Sequence, residues 1–188
     1  LPAVYEHKAW FIGSTPSAIS RDADLLTRAM LAELTGRAEQ PDRIERLTSR
    51  LDDGAIKLYT SMMLLRLRRE HPDLFARGDY TPVEAEGELR DQVIAYTRRY
   101  KGQSLVVVVP RLFRSLLRRG RGLPLGEQVW GSTQLVLSGM AGETLVNPFT
   151  GEAVTVAADG RLPVASVLHQ FPVGCLMPAR ADIAGEES

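Results

Sequence analysis

The stretch Leu105-Val106-Val107-Val108-Val109-Pro110 decides the fold. Five consecutive aliphatic residues, four of them β-branched, suit a strand buried on both faces, because a branched Cβ packs well on a pleated surface and poorly in a helix. A strand of that kind is central and needs neighbours on both sides. Gln92-Val93-Ile94-Ala95-Tyr96-Thr97 precedes it across a turn at Lys101-Gly102, and Thr133-Gln134-Leu135-Val136-Leu137 follows it as the expected second neighbour. Together these segments predict an antiparallel sheet.

Working upstream, the pattern turns helical. Ser20 or Asp22 can cap a helix carrying Leu25, Leu26, Ala29, Met30 and Leu34, with Gly36 placed for a left-handed C-terminal cap. A second helix starts at Pro41-Asp42 and carries Ile44, Leu47 and Leu51 at i, i+3 and i+7. The third has Asp52-Asp53 at its start, Arg66, Arg68 and Arg69 in its last turns, and Pro72 as its stop. Its apolar residues from Ile56 to Leu67 wrap more than half the circumference, which predicts a mostly buried helix.

Downstream of about residue 76 the chain reads as short strands between Gly, Pro, Asn and Asp turns. Asn147-Pro148-Phe149-Thr150-Gly151 joins two of them, and Ala158-Asp159-Gly160-Arg161 has the composition of a tight hairpin. Phe171 to Pro178 would be the last strand. The class expected is therefore α+β: about three N-terminal helices packed against a C-terminal antiparallel β-sandwich or sheet. Helical residues 1–75, a β domain at 76–180 and a polar tail at 181–188 complete the expected organisation.

Composition narrows the functional classes. Lys plus Arg and Asp plus Glu both number 23, so no global field draws the chain to nucleic acid or an anionic membrane. A single cysteine, Cys175, cannot form an internal disulfide and fits a small buried residue in a reducing cytoplasm. With no apolar run of about 18 residues and no basic-then-apolar leader, the expectation is a soluble cytoplasmic protein without a membrane partner. The start at Leu1 rather than Met reads as a fragment or a processed product.

Chemistry-bearing constellations are sparse. His7, His71 and His169 are far apart, and none has a second ligand at a metal-binding spacing, so no metal or other cofactor is expected. Gly120, Gly122 and Gly126 lack the spacing of a dinucleotide loop, and no serine sits in a nucleophile elbow. Asp52/Asp53 suit a helix start, and Glu84/Glu86 the solvent face of an edge strand. Tyr5, Trp10 and Trp130 could stack on a sugar or sit in a core. The segment Arg111 to Arg121 holds five arginines in eleven residues. It reads either as an amphipathic excursion that covers the sheet or as a patch in which Arg114, Arg118 and Arg119 dock a partner or polyanion, making the chain a free-standing, non-catalytic interaction module. The absence of interleaved aromatics counts against single-stranded nucleic acid.

The order of motifs adds a resemblance. Asp53-Gly54-Ala55-Ile56-Lys57-Leu58-Tyr59, Leu64 to Arg69, and Pro72-Asp73-Leu74-Phe75 followed by Gly78-Asp79-Tyr80 and Pro82 resemble the C-terminal region of the maltooligosyltrehalose synthase family. So do Val106 to Leu112, Pro124-Leu125-Gly126-Glu127, Val129-Trp130-Gly131 and Thr133, Asn147 to Gly151, and Leu162-Pro163-Val164, in the family's order. That family belongs to the α-amylase clan and converts the reducing-end α-1,4 linkage of a maltooligosaccharide to the α,α-1,1 linkage of trehalose.

The resemblance implies an aspartate nucleophile and a glutamate acid/base upstream of Leu1, with no catalytic residue in this chain. It makes the chain the end of a barrel plus a supporting β domain, and it makes a maltooligosaccharide the partner of the parent barrel. Pro2 to Tyr5 and Trp10 look like the last barrel strand and the loop after it. Where the family carries Tyr-Gln-Gly-x-Glu-like and Asp-Pro-Asp-Asn-Arg-Arg-like segments, this chain reads Tyr5-Glu6-His7-Lys8 and Ser14-Thr15-Pro16-Ser17, so those contacts are not carried over. Lys57 matches a motif position and is the substrate-site candidate alongside Tyr5 and Trp10. Pairing with Asp53 at i−4 is the alternative role of Lys57.

Overall fold

The computed structural model describes residues 40–51, 54–112 and 122–179. The helix expected over Leu25 to Leu34, the acidic pair Asp52/Asp53 and the polar tail lie outside the described residues. By backbone contacts the chain divides into two compact units, Leu1–Ser61 and Met62–Ser188, with the division inside a helix.

In the first unit, α1 (Gln40–Ser49) opens with proline in its first turn and buries Ile44 and Leu47, three residues apart on one face. Helix α2 (Ala55–Glu70) begins at Gly54, whose carbonyl accepts the N–H groups of Lys57 and Leu58. Gly54 has φ +75°, a conformation that costs glycine little. The buried residues of α2 are Tyr59, Met63 and Leu67, at i, i+4 and i+8, while Leu65 is 66% exposed. One stripe is covered rather than most of the circumference, so the wrapping of apolar residues overstates the burial of this helix. Pro72 stops α2 as expected and also opens α3 (Pro72–Arg77), because its missing N–H costs nothing in a first turn.

The second unit is built on a six-stranded antiparallel sheet. Strands β1 (Thr81–Val83), β3 (Val93–Tyr100), β4 (Gln103–Pro110), β9 (Gly174–Pro178), β6 (Thr144–Val146) and β7 (Ala153–Thr155) lie in that order. Strand β4 is internal, and Leu105, Val106, Val107 and Val108 are all buried, as the aliphatic run predicts. Its hairpin with β3 runs unbroken from Val93 opposite Pro110 to Tyr100 opposite Gln103. Lys101 and Gly102 both take positive φ, +45° and +79°, the two-residue turn whose twist matches that of the strands.

The other neighbour of β4 differs from the expected one. Strand β9 pairs with it, whereas β5 (Gln134–Val136) sits in a separate three-stranded sheet between β2 (Ala85–Glu86) and β8 (Arg161–Pro163). Three-residue strands carry too little alternation to name their partner, so sequence order stands in for pairing and fails here. Likewise, the Asn147 to Gly151 turn does join a paired hairpin, β6 with β7, but the Ala158 to Arg161 turn links strands of different sheets. It stays tight, with Gly160 donating to the Ala157 carbonyl at 2.8 Å.

Between the sheets lies the core. Val93, Ala95, Val106, Val108, Leu145 and Leu176 of the large sheet meet Leu135 and Leu162 of the small one. Trp130 of α4 (Glu127–Trp130) and Val164 and Val167 of α5 (Val164–Val167) close the layer. The side chain of Val167 packs so near β9 that a Cβ on Gly174 would lie 2.4 Å from its Cγ1, which requires glycine at the start of that strand.

Candidate functional site

Several residues of the motif stretches that carry the resemblance are engaged in packing or backbone hydrogen bonds. Gly78 donates to the Leu74 carbonyl at the end of α3, and a Cβ there would come within 2.3 Å of that oxygen. Asp79 extends the sheet by accepting the Arg99 N–H at 2.7 Å, while the Arg98 guanidinium donates to the Gly78 carbonyl at 2.9 Å. Tyr80 stacks on Tyr96 with ring centroids 4.4 Å apart.

The second motif works the same way. Gly126, at φ +69°, donates to the Leu168 carbonyl and starts α4. Buried Trp130 donates its indole N–H to the Pro124 carbonyl at 2.8 Å. Thr133 is a three-way joint: its N–H donates to Trp130, its carbonyl accepts from Val164, and its hydroxyl accepts the Leu89 N–H at 3.3 Å. Further on, Asn147 accepts the Phe149 N–H with its side chain at 3.1 Å, and the Phe149 ring stacks on Phe171. Trp130 is thus core rather than a sugar platform.

A cleft of about 550 Å³ with a mixed polar and apolar lining lies in the second unit where these stretches come to the surface. Glu127 and Ser132 border it from α4 and the turn after it, Gln134 from β5, Glu152 from just before β7, and Ser166 and His169 from α5 and just beyond. His169 and Glu152 are joined, imidazole Nδ1 to carboxylate at 3.1 Å. Spacing in the sequence could not have found this pair, since 17 residues and a strand crossing separate its members. His71, the other described histidine, is bonded instead to the Gln103 side chain at 3.3 Å.

Other titratable groups serve the scaffold. Glu86 pairs with Arg161 at 3.1 Å across β5. Asp159 lies below its ordinary value because the Arg161 N–H, and then the Arg161 guanidinium, favour its charged form. Burial pushes the Cys175 thiol up to about 12. Among the described residues no group of three or more His, Cys, Asp or Glu is placed to hold a metal ion. No described helix is long and apolar enough to cross a membrane.

Of the residues singled out from the sequence, Lys57 is exposed on the first turn of α2. Asp53, Tyr5, Trp10, Arg114, Arg118 and Arg119 lie outside the described residues.

In class, this is an α+β chain whose second unit is a two-sheet antiparallel β structure with its motif residues committed to the scaffold. No family model matches it. Two relatives from Mycobacterium tuberculosis, strains CDC 1551 / Oshkosh and H37Rv, are each 32% identical over 121 residues, 64% of this chain. Both carry the name maltooligosyl trehalose synthase. Among solved structures, a mutant maltooligosyltrehalose synthase from Arthrobacter ramosus superposes with a TM-score of 0.53 at 26% identity over 80% of this chain. The resemblance read from the sequence holds: the chain is similar to maltooligosyltrehalose synthases. It spans 13% of the length of the curated relatives and 17% of the solved structure.

Proposed function

We propose that this chain is the C-terminal portion of a maltooligosyltrehalose synthase, a (1→4)-α-D-glucan 1-α-D-glucosylmutase of trehalose biosynthesis. The observation that carries this reading is the use of the matched motifs. Gly78, Asp79, Trp130 and Thr133 hydrogen-bond within the scaffold, and Asn147 does so through its side-chain oxygen, as expected of a supporting domain. The similarity to relatives of that name over most of the chain points the same way.

In this reading residues 1–75 close the barrel, 76–180 form the β domain that supports it, and 181–188 are a tail. The nucleophile and acid/base lie upstream, and the maltooligosaccharide binds the parent barrel in the cytoplasm. Lys57, Tyr5 and Trp10 are the candidates for reaching the glucan. Reading the coding sequence upstream of Leu1 tests the proposal. A long barrel-coding region with an aspartate and a glutamate at mid-barrel strands is the expected result. A start codon immediately before Leu1 would overturn it in favour of a free-standing module.

A further inference from the structure

The cleft bordered by Glu127, Ser132, Gln134, Glu152, Ser166 and His169 is not needed by the scaffold, and its chemistry is selective. The two carboxylates, Glu127 and Glu152, repel phosphates and other anions. Among the described residues no three such groups are placed to hold a metal ion, Glu127, Glu152 and His169 included, so a metal cation has no coordination shell. What remains is a mixture of neutral donors and acceptors set among the apolar side chains of Val154, Pro163 and Ala165. The Gln134 amide and the Ser132 and Ser166 hydroxyls offer both, and Glu152 is steadied by His169 at 3.1 Å while keeping acceptor capacity on its second oxygen.

Backbone adds to this lining. Strand β7 is an edge strand, and its ladder to β6 uses Glu152 and Val156, whose neighbours alternate outward. The N–H and carbonyl of Ala153, on the cleft wall, therefore face away from β6. A volume of about 550 Å³ is within the range of small-molecule sites.

We infer that this cleft is a binding site for a neutral polyhydroxylated ligand, the end of a glucan chain, held by hydrogen bonds rather than by ring stacking. Hydroxyl recognition rests on the lining alone; the choice of a glucan rests on the function proposed above.

Titration of the isotopically labelled 188-residue chain with maltotriose, followed by amide NMR, tests the inference. Saturable shifts confined to Ser132, Gln134, Ala153 and Ser166 are expected. Gln134→Ala with Ser166→Ala should weaken binding by about tenfold, the loss of roughly one good hydrogen bond's worth or more. Glu127→Gln, at an exposed position, guards against a folding defect and should weaken binding while leaving the rest of the spectrum unchanged. Trehalose in place of maltotriose reports whether a chain end or the disaccharide is preferred, and binding of either supports the site. No shift with either sugar, shifts elsewhere on the surface, or unchanged affinity in all variants would overturn it. Larger shifts with spermidine than with sugar would also overturn it, by assigning the cleft to a cation. Failure here leaves the upstream coding sequence unaffected, so the two readings fail separately.

Discussion

At the scale of single residues, the account turns on groups whose chemistry is already committed. Trp130 fills the core and satisfies a buried carbonyl, so Trp130→Phe should cost about 2–4 kcal/mol, from lost volume and an orphaned acceptor together, measured by urea unfolding. Cys175 is fully buried with its pKa pushed up to about 12 by desolvation. The thiol should resist iodoacetamide at pH 8 in the native chain and react once urea unfolds it. Asp159 gives a pH signature. Its folded pKa is depressed below 3.8, so its stabilisation is present above that value and lost as pH falls through the lower folded value. The stability gap between the native chain and Asp159→Asn should therefore be open at pH 7 and narrow below about pH 4. Gly160 and Gly102 both have φ near +80°, yet only at Gly160 would a Cβ meet backbone, the Ser138 Cα at 2.7 Å. Gly102→Ala should cost about 1–2 kcal/mol and Gly160→Ala clearly more, by the same unfolding assay.

Elements show why some of the structure was legible and some was not. The run Leu105 to Val109 is long and uniformly branched, so it names a strand buried on both faces without help from its surroundings, and Lys101-Gly102 fixes its hairpin register. Strand β9 was found as a segment, though it begins at Gly174 rather than Phe171, because Val167 leaves room there only for glycine. Its place beside β4 was not legible, since the pairing spans more than sixty residues and β9 has no alternation to declare it. Helix α2 misled in the other direction: composition counts apolar residues, whereas burial depends on which stripe finds a partner. Gly174→Ala tests the β9 contact directly. Its Cβ would press on Val167, with an expected cost of about 1–3 kcal/mol in urea unfolding.

Across the molecule, the similarity to maltooligosyltrehalose synthases could be read from the order of motifs spread along the chain. The cleft was not legible. Its lining comes from β5, β7, α4 and α5, none of it is a motif in sequence, and the His169–Glu152 pair exists only once the strands have crossed. No reaction centre could be named from the sequence, and the described motif residues Gly78, Trp130 and Thr133 hydrogen-bond within the fold. The central proposal, that these residues support catalysis without performing it, is tested most directly by incubating the folded 188-residue chain with maltopentaose, using circular dichroism to verify the native state in the same sample. No trehalose-ended product is the predicted result. Formation of that product by this chain alone would contradict the account.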